Sequence, residues 1–143
     1  MMGQTGTVGH NGAYRVMIAD DVQDLRSMLR LALELSGRFT VVAEAMNGTH
    51  AVDLAAMYKP DLALLDLSMP ELDGLEALPR IREVSPETRV VVLSGFEEAR
   101  MGPMALAQGA VAYLEKGIPP RRLVQVLIEV MQGPADAGGA SGG

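Results

Sequence analysis

Three short runs, Val16-Met17-Ile18-Ala19, Leu62-Ala63-Leu64-Leu65 and Val90-Val91-Val92-Leu93, are apolar at every position. A strand with one face in water alternates apolar and polar residues, so a run without alternation belongs to a strand covered on both faces. Such strands sit in the middle of a parallel sheet flanked by helices. The pattern predicts five strands, at Tyr14–Ala19, Phe39–Ala45, Asp61–Leu67, Thr88–Ser94 and Ala110–Lys116. Helical segments alternate with them. The first follows strand one, and the others are read at Gly48–Tyr58, Leu75–Val84, a short segment ending near Gln108, and Pro120–Met131. Right-handed crossovers then make an α/β, doubly wound five-stranded sheet with five helices, and ligands bind at the carboxyl ends of its strands.

In the first helix, Val22, Leu25, Leu29, Ala32 and Leu33 line one face, and Gln23, Ser27, Arg30 and Glu34 the opposite one. Met28, Leu31 and Leu35 widen the apolar arc, which fits either a broadly buried helix or an edge offered to a partner. Pro79 predicts a third helix that bends or restarts, since proline removes a hydrogen bond and clashes with the preceding turn. Gly102-Pro103 predicts a short, mobile fourth helix, with Pro103 in its first turn and no continuous helix from Glu97.

With 143 residues, 48% of them hydrophobic, the chain can bury one ordinary core. The expected domain spans 13–132. Glycines at 3, 6, 9 and 12 punctuate the first twelve residues, and 133–143 contains only Gly, Ala, Pro, Ser and Asp. Both ends are expected to be flexible. The formal charge is −6, from 12 Lys and Arg against 18 Asp and Glu, which repels phosphate backbones and acidic membranes. Direct nucleic-acid binding by this domain and membrane association are therefore not expected. The absence of cysteine excludes disulfides, thiol nucleophiles and thiolate metal sites. Met1 to Tyr14 shows no basic segment followed by an apolar one, and no apolar stretch approaches about 18 residues, so a cytoplasmic location is expected.

Three acidic residues fall where strands end: Asp20 and Asp21 after the first, and Asp66 near the end of the third. Parallel strands bring these positions to one edge. At about 5 Å and an effective dielectric near 20, each ionised pair repels by roughly 3 kcal/mol, so a positive charge must share the site. Mg2+ satisfies this, accepting a couple of carboxylates while keeping waters, and Lys116 at the end of the fifth strand supplies a fixed cation. Individually the residues have plainer readings. Asp20 or Asp21 fits a helix cap, with Asp24 completing a capping box. Ser94 fits a turn hydroxyl, Lys116 a solvated charge, and Tyr113 half-buried core. Asp66 is harder to read so, because Asp73 is the natural cap for the helix that follows.

The ordered set Met17-Ile18-Ala19-Asp20-Asp21, Leu64-Leu65-Asp66-Leu67-Ser68-Met69-Pro70, Asp73-Gly74, Val92-Leu93-Ser94-Gly95 and Ala112-Tyr113-Leu114-Glu115-Lys116 resembles the receiver domain of two-component response regulators. The likeness runs from about Tyr14 to Gln132, and its flavour is nearest to receivers of LuxR-type regulators. It implies the flavodoxin-like strand order 2-1-3-4-5. It also implies that Asp66 is the phosphoacceptor, and that Asp21, Asp66 and the Ser68 carbonyl hold Mg2+ directly, with Asp20 acting through water. Lys116 would pair with phosphoryl oxygens, Ser94 would hydrogen-bond one of them, and Tyr113 would turn inward as Ser94 moves. Ser68 and Phe96 would flank the pocket. The implied donor is a sensor histidine kinase or phosphotransfer protein, and the output partner is unspecified. Mixed charges at Glu97, Glu98, Arg100, Glu115, Arg121 and Arg122 permit a phosphorylation-dependent homodimer. The chain departs from the family in having Gly117, where proline is frequent, and this predicts a looser Lys116 loop.

Two other classes share part of this pattern. A haloacid dehalogenase-like phosphatase would need a second Asp two residues after the nucleophile, where Ser68 stands. A flavodoxin-like cofactor site would set acidic Asp20-Asp21-Val22-Gln23-Asp24 against a phosphate. Neither a glycine-rich dinucleotide fingerprint nor a P-loop is present. A pseudo-receiver working without phosphorylation is the remaining alternative.

Overall fold

The computed structural model describes residues 12–69 and 73–133, so the expected flexible ends lie outside it apart from Gly12 and Gly133. Strands and helices alternate: β1 (Tyr14–Ala19), α1 (Gln23–Leu35), β2 (Phe39–Ala45), α2 (Gly48–Tyr58), β3 (Leu62–Leu65), α3 (Gly74–Val84), β4 (Arg89–Ser94), α4 (Glu98–Ala107), β5 (Ala112–Glu115) and α5 (Pro120–Gln132). The sheet is parallel throughout, in the order β2-β1-β3-β4-β5. The limits of β1 and β2 match the sequence reading residue for residue, whereas β3, β4 and β5 are shorter. The polar flanking residues also make side-chain bonds: Asp61 accepts the Arg15 N–H at 2.8 Å, and the Thr88 hydroxyl donates to the Pro60 carbonyl at 2.6 Å.

The unbroken apolar runs are explained by two cores. Met17, Ala63, Leu65, Val90 and Val92 face α2, α3 and α4 through Ala51, Ala55, Ala77, Leu78, Ile81 and Ala105. Val16, Ile18, Leu62, Leu64, Val91 and Leu93 face α1 and α5 through Leu29, Leu33, Leu123 and Leu127. Each central strand thus buries both its odd and its even residues.

The broadly buried reading of α1 and the interrupted α4 fail, and of the two readings of α3 the restart is excluded. α1 is not broadly buried: Leu29 and Leu33 are covered, but Val22, Met28, Leu31 and Leu35 are 49, 43, 61 and 76% exposed. The helix rests on the sheet along a narrow stripe, and its flank toward β2 is taken by Arg26 and Arg30, which pair with Glu44. α3 does not restart at Pro79. α4 runs unbroken from Glu98 through Gly102-Pro103, neither interrupted nor with proline in its first turn. Each proline is the sixth residue of its helix and exposed, so the carbonyl it leaves unbonded lies in the first turn. There the backbone can tilt outward without disturbing an earlier turn. Gly102 faces inward instead, where a Cβ would lie 3.9 Å from the Tyr113 ring.

The helices return antiparallel to the strands, so their N-termini and the strand ends share one edge. At the other edge, cations satisfy helix-terminal carbonyls. Arg15 donates to Lys59 and Tyr58 at 3.0 and 2.7 Å, and Lys59 donates to Val84. Among the described residues no helix is long and apolar enough to cross a membrane.

Candidate functional site

β1 and β3 are adjacent and in register, Ala19 beside Leu65, so Asp20 and Asp66 emerge side by side from the sheet. Both backbones are pinned: Asp20 N–H donates to Ala45 and Asp66 N–H to Ala19, each at 3.0 Å. Both carboxylates are 2–3% exposed, while Asp21 stands exposed beside them. Carboxylate oxygens of Asp20, Asp21 and Asp66 all lie within 4.8 Å of one another.

Lys116 reaches in from the end of β5. Its Nζ is 2.9 Å from Asp20 Oδ2 and 3.2 Å from Asp66 Oδ2, and its N–H donates to the Ser94 carbonyl at 2.7 Å. It is therefore a paired, half-buried cation rather than a solvated one. Burial pushes the Lys116 ammonium down, but its hydrogen bond to Asp20 and the charges of Asp66 and Asp20 outweigh this and hold it above the ordinary lysine value. Burial raises the Asp66 carboxyl, the Ser68 N–H opposes it, the Asp20 charge adds to it and Lys116 opposes it; the net direction is up.

The other oxygens of the acid pair are engaged locally. Asp20 Oδ1 accepts the Val22 N–H at 2.9 Å, and Asp66 Oδ1 accepts the Ser68 N–H at 3.2 Å. Neither Asp20 nor Asp21 caps α1, because its N-cap is Val22, with no side-chain cap bond. Asp73 does cap α3, accepting the Glu76 N–H at 2.9 Å, which frees Asp66 for other work.

Ser94 is fully buried, and its Oγ accepts the Phe96 N–H at 3.2 Å, the turn role read from the sequence. Tyr113 is 5% exposed rather than half-buried, and its hydroxyl donates to the Phe96 carbonyl at 2.8 Å instead of reaching water. It is already turned inward. Asp21, Asp66, Ser68, Gly95, Phe96 and Lys116 line an open cleft of about 330 Å³. Asp20 is buried and does not line it.

The sequence reading gave no contact for three residues that shape this site, although Gly74 and Glu115 stand in its motifs. Gly74 packs so closely that a Cβ would overlap the Asp66 carbonyl oxygen. Glu115 bonds the first amide of α4. Arg26 is buried behind Asp20. Arg26 left a signal outside those motifs: it lies four residues after Val22 and three before Leu29, a cation on an apolar stripe, where a partner is required.

One lysine against three carboxylates leaves room for further positive charge. The donors are hard oxygens, the set that suits Mg2+ and phosphoryl groups. The model of the response regulator receiver domain matches residues 16–128. The chain belongs to the response regulator receiver family. This receiver is 37% identical over 118 residues to the nitrate/nitrite response regulator protein NarL of Escherichia coli K12, covering 82% of this chain and 55% of that protein. It is 34% identical over 115 residues to the chemotaxis protein CheY of Bacillus subtilis, covering 80% and 95%. The signal receiver domain of NarL from Mycobacterium tuberculosis superposes with a TM-score of 0.80 at 34% identity, covering 85% of this chain and 98% of that one. The chain spans 55% and 62% of the length of the NarL proteins it matches from Escherichia coli and Mycobacterium tuberculosis.

Receiver domains are signalling switches whose general function is a phosphorylation-dependent change of state. They bind Mg2+ at an acidic pocket and work with histidine kinases and output domains. The phosphatase and flavin-binding alternatives fall with this assignment.

Proposed function

We propose that Asp66 of this receiver, spanning about 13–132, accepts a phosphoryl group from a phosphohistidine of a sensor kinase or phosphotransfer protein, and that the domain itself catalyses the transfer. The observation that carries the reading is Lys116 Nζ, 2.9 and 3.2 Å from Asp20 and Asp66 at an open cleft. An Asp66 carboxylate oxygen attacks phosphorus in line, the P–N bond breaks, and the imidazole leaves with its electron pair and takes a proton from water. Lys116 turns from the carboxylates to the phosphoryl oxygens, and Ser94 Oγ exchanges the Phe96 N–H for a hydrogen bond to one of them. Asp21, Asp66 and the Ser68 carbonyl would hold Mg2+, with Asp20 acting through water. When bound, Mg2+ supplies charge against the equatorial oxygens.

Water attacking phosphorus later releases inorganic phosphate and restores the carboxylate, with Ser68 and Phe96 controlling its approach. Phosphorylation shifts an existing equilibrium of the Ser94 loop, Tyr113 and α4, since a ligand stabilises only the state it contacts better. The mixed-charge face of Glu97, Glu98, Arg100, Glu115, Arg121 and Arg122 then reads out the change, to an output partner or a second copy. These events belong in the cytoplasm.

Intact-mass spectrometry after incubation with acetyl phosphate and Mg2+ tests the reading. One phosphoryl adduct is expected, absent from Asp66→Asn and from metal-free protein. An adduct that persists in Asp66→Asn overturns the assignment, and no adduct from either acetyl phosphate or a phosphorylated kinase identifies a pseudo-receiver.

A further inference from the structure

Arg26 is a buried cation that the phosphoryl chemistry above does not use. It is the fourth residue of α1, 8% exposed, on the face turned to the sheet. Burying a guanidinium is costly unless its donors are satisfied. Its Nε donates to Glu44 Oε1 at 3.1 Å, and its Nη1 donates to the backbone carbonyl of Asp20 at 2.7 Å. Glu44 sits opposite Ile18 on β2, and its second oxygen is taken by Arg30 at 2.8 Å.

The Asp20 carbonyl belongs to the peptide unit that joins the two acids of the loop. That unit is planar, so fixing its oxygen also fixes the Asp21 nitrogen and the direction in which Asp21 leaves the backbone. Asp20 is held by its own N–H on Ala45 and by Val22 and Lys116 on its carboxylate. Asp21 stands at the exposed cleft wall, and its aim depends on the backbone from which it hangs. Because Glu44 offsets the guanidinium charge, Arg26 can hold this peptide without presenting an unbalanced cation behind a cation-binding site.

We infer that Arg26 is a positioning residue for cation binding, fixing the Asp20–Asp21 peptide so that the Asp21 and Asp66 carboxylates converge. The inference rests on the acidic cluster being the Mg2+ site. Lysine keeps the charge but has no fork to serve Glu44 and the Asp20 carbonyl together. Groups that orient metal ligands from behind typically change affinity by roughly 10- to 100-fold when replaced.

The experiment is calorimetric titration of unphosphorylated protein with Mg2+, paired with the thermal midpoint, for native, Arg26→Lys, Arg26→Met, Glu44→Gln and Asp21→Asn chains. Arg26→Lys is expected to weaken Mg2+ by at least tenfold while remaining folded. Glu44→Gln, which leaves the Arg26–Asp20 bond in place, should lower the midpoint but keep the affinity within about threefold of native. Arg26→Lys and Glu44→Gln falling equally in midpoint with native Mg2+ affinity would show a merely structural arginine and overturn the inference. Loss of Mg2+ binding in Asp21→Asn locates the titration at the acidic cluster. A native chain that binds no Mg2+ overturns the site reading and this inference with it.

Discussion

The carboxylate of Glu115, the residue just before Lys116, accepts the backbone N–H of Glu98 at 2.8 Å. α4 has no cap of its own, because Glu97 at its N-cap makes no side-chain bond. The cap comes instead from β5, where the negative carboxylate also suits the positive helix end. A second bond, from the Tyr113 hydroxyl to the Phe96 carbonyl, ties β5 to the segment entering α4.

Glu115→Ala is therefore expected to cost about 1 kcal/mol, the usual effect of removing a cap. It should also speed amide exchange over the first turn, Glu98 to Met101. Glu115→Gln keeps an acceptor and should lie between. Hydrogen exchange followed by NMR, beside denaturant unfolding, measures both, and unchanged protection in Glu115→Ala would show that the bond carries no weight.

Gly74 touches the site from the opposite side. A Cβ there would overlap the Asp66 carbonyl oxygen and sit 2.6 Å from Leu67 Cα, and backbone cannot rotate away as a side chain can. Gly74→Ala is expected to destabilise by about 2–3 kcal/mol, as overpacking does. Because the strain falls on Asp66 itself, the phosphorylation rate from acetyl phosphate should drop as well. Chemical denaturation and the mass assay read these separately.

Far from the site, Asp61 provides a pH signature. Burial raises its carboxyl, while the Arg15 N–H and charge only partly oppose this. A raised carboxyl gives stability that is fully present below the unfolded value, near pH 4, and lost as pH rises through the higher folded value. Asp61→Asn, which keeps an acceptor for Arg15, should be more stable than native at pH 7, with the gain vanishing below about pH 4. Unfolding curves across pH 3–8 check the slope as well as the sign.

On α1, Leu31 is 61% exposed and Leu33 fully buried. Leu33→Ala should cost about 2–5 kcal/mol. Leu31→Ala should stay within about 0.5 kcal/mol of native. Equal losses at both positions would mean that α1 buries a broader face than the structure gives it.

These contrasts show what the sequence could carry. The runs at Val16, Leu62 and Val90 specified central strands because no other arrangement covers both faces of such a run. Asp20, Asp21, Asp66, Ser94 and Lys116 were legible because a parallel sheet delivers every strand end to one edge. Burial on α1 was not legible, because an apolar arc does not reveal how wide a neighbour will cover it. α4 was misread because the proline penalty depends on where the freed carbonyl points, and here it lies in an open first turn. The capping role of Glu115 was not legible, since its partner is a backbone amide whose position only the tertiary fold determines.

Arg89, the first residue of β4, donates to the carbonyls of Val130 and Met131 at 2.6 and 3.1 Å. α5 therefore ends beside the strand starts, a sheet's length from Asp66, on the order of 20 Å for six residues. Anything joined after Gln132 departs from the pole opposite the acidic cleft. The route by which the chain leaves the domain is therefore separated from the acidic cleft by the length of the sheet.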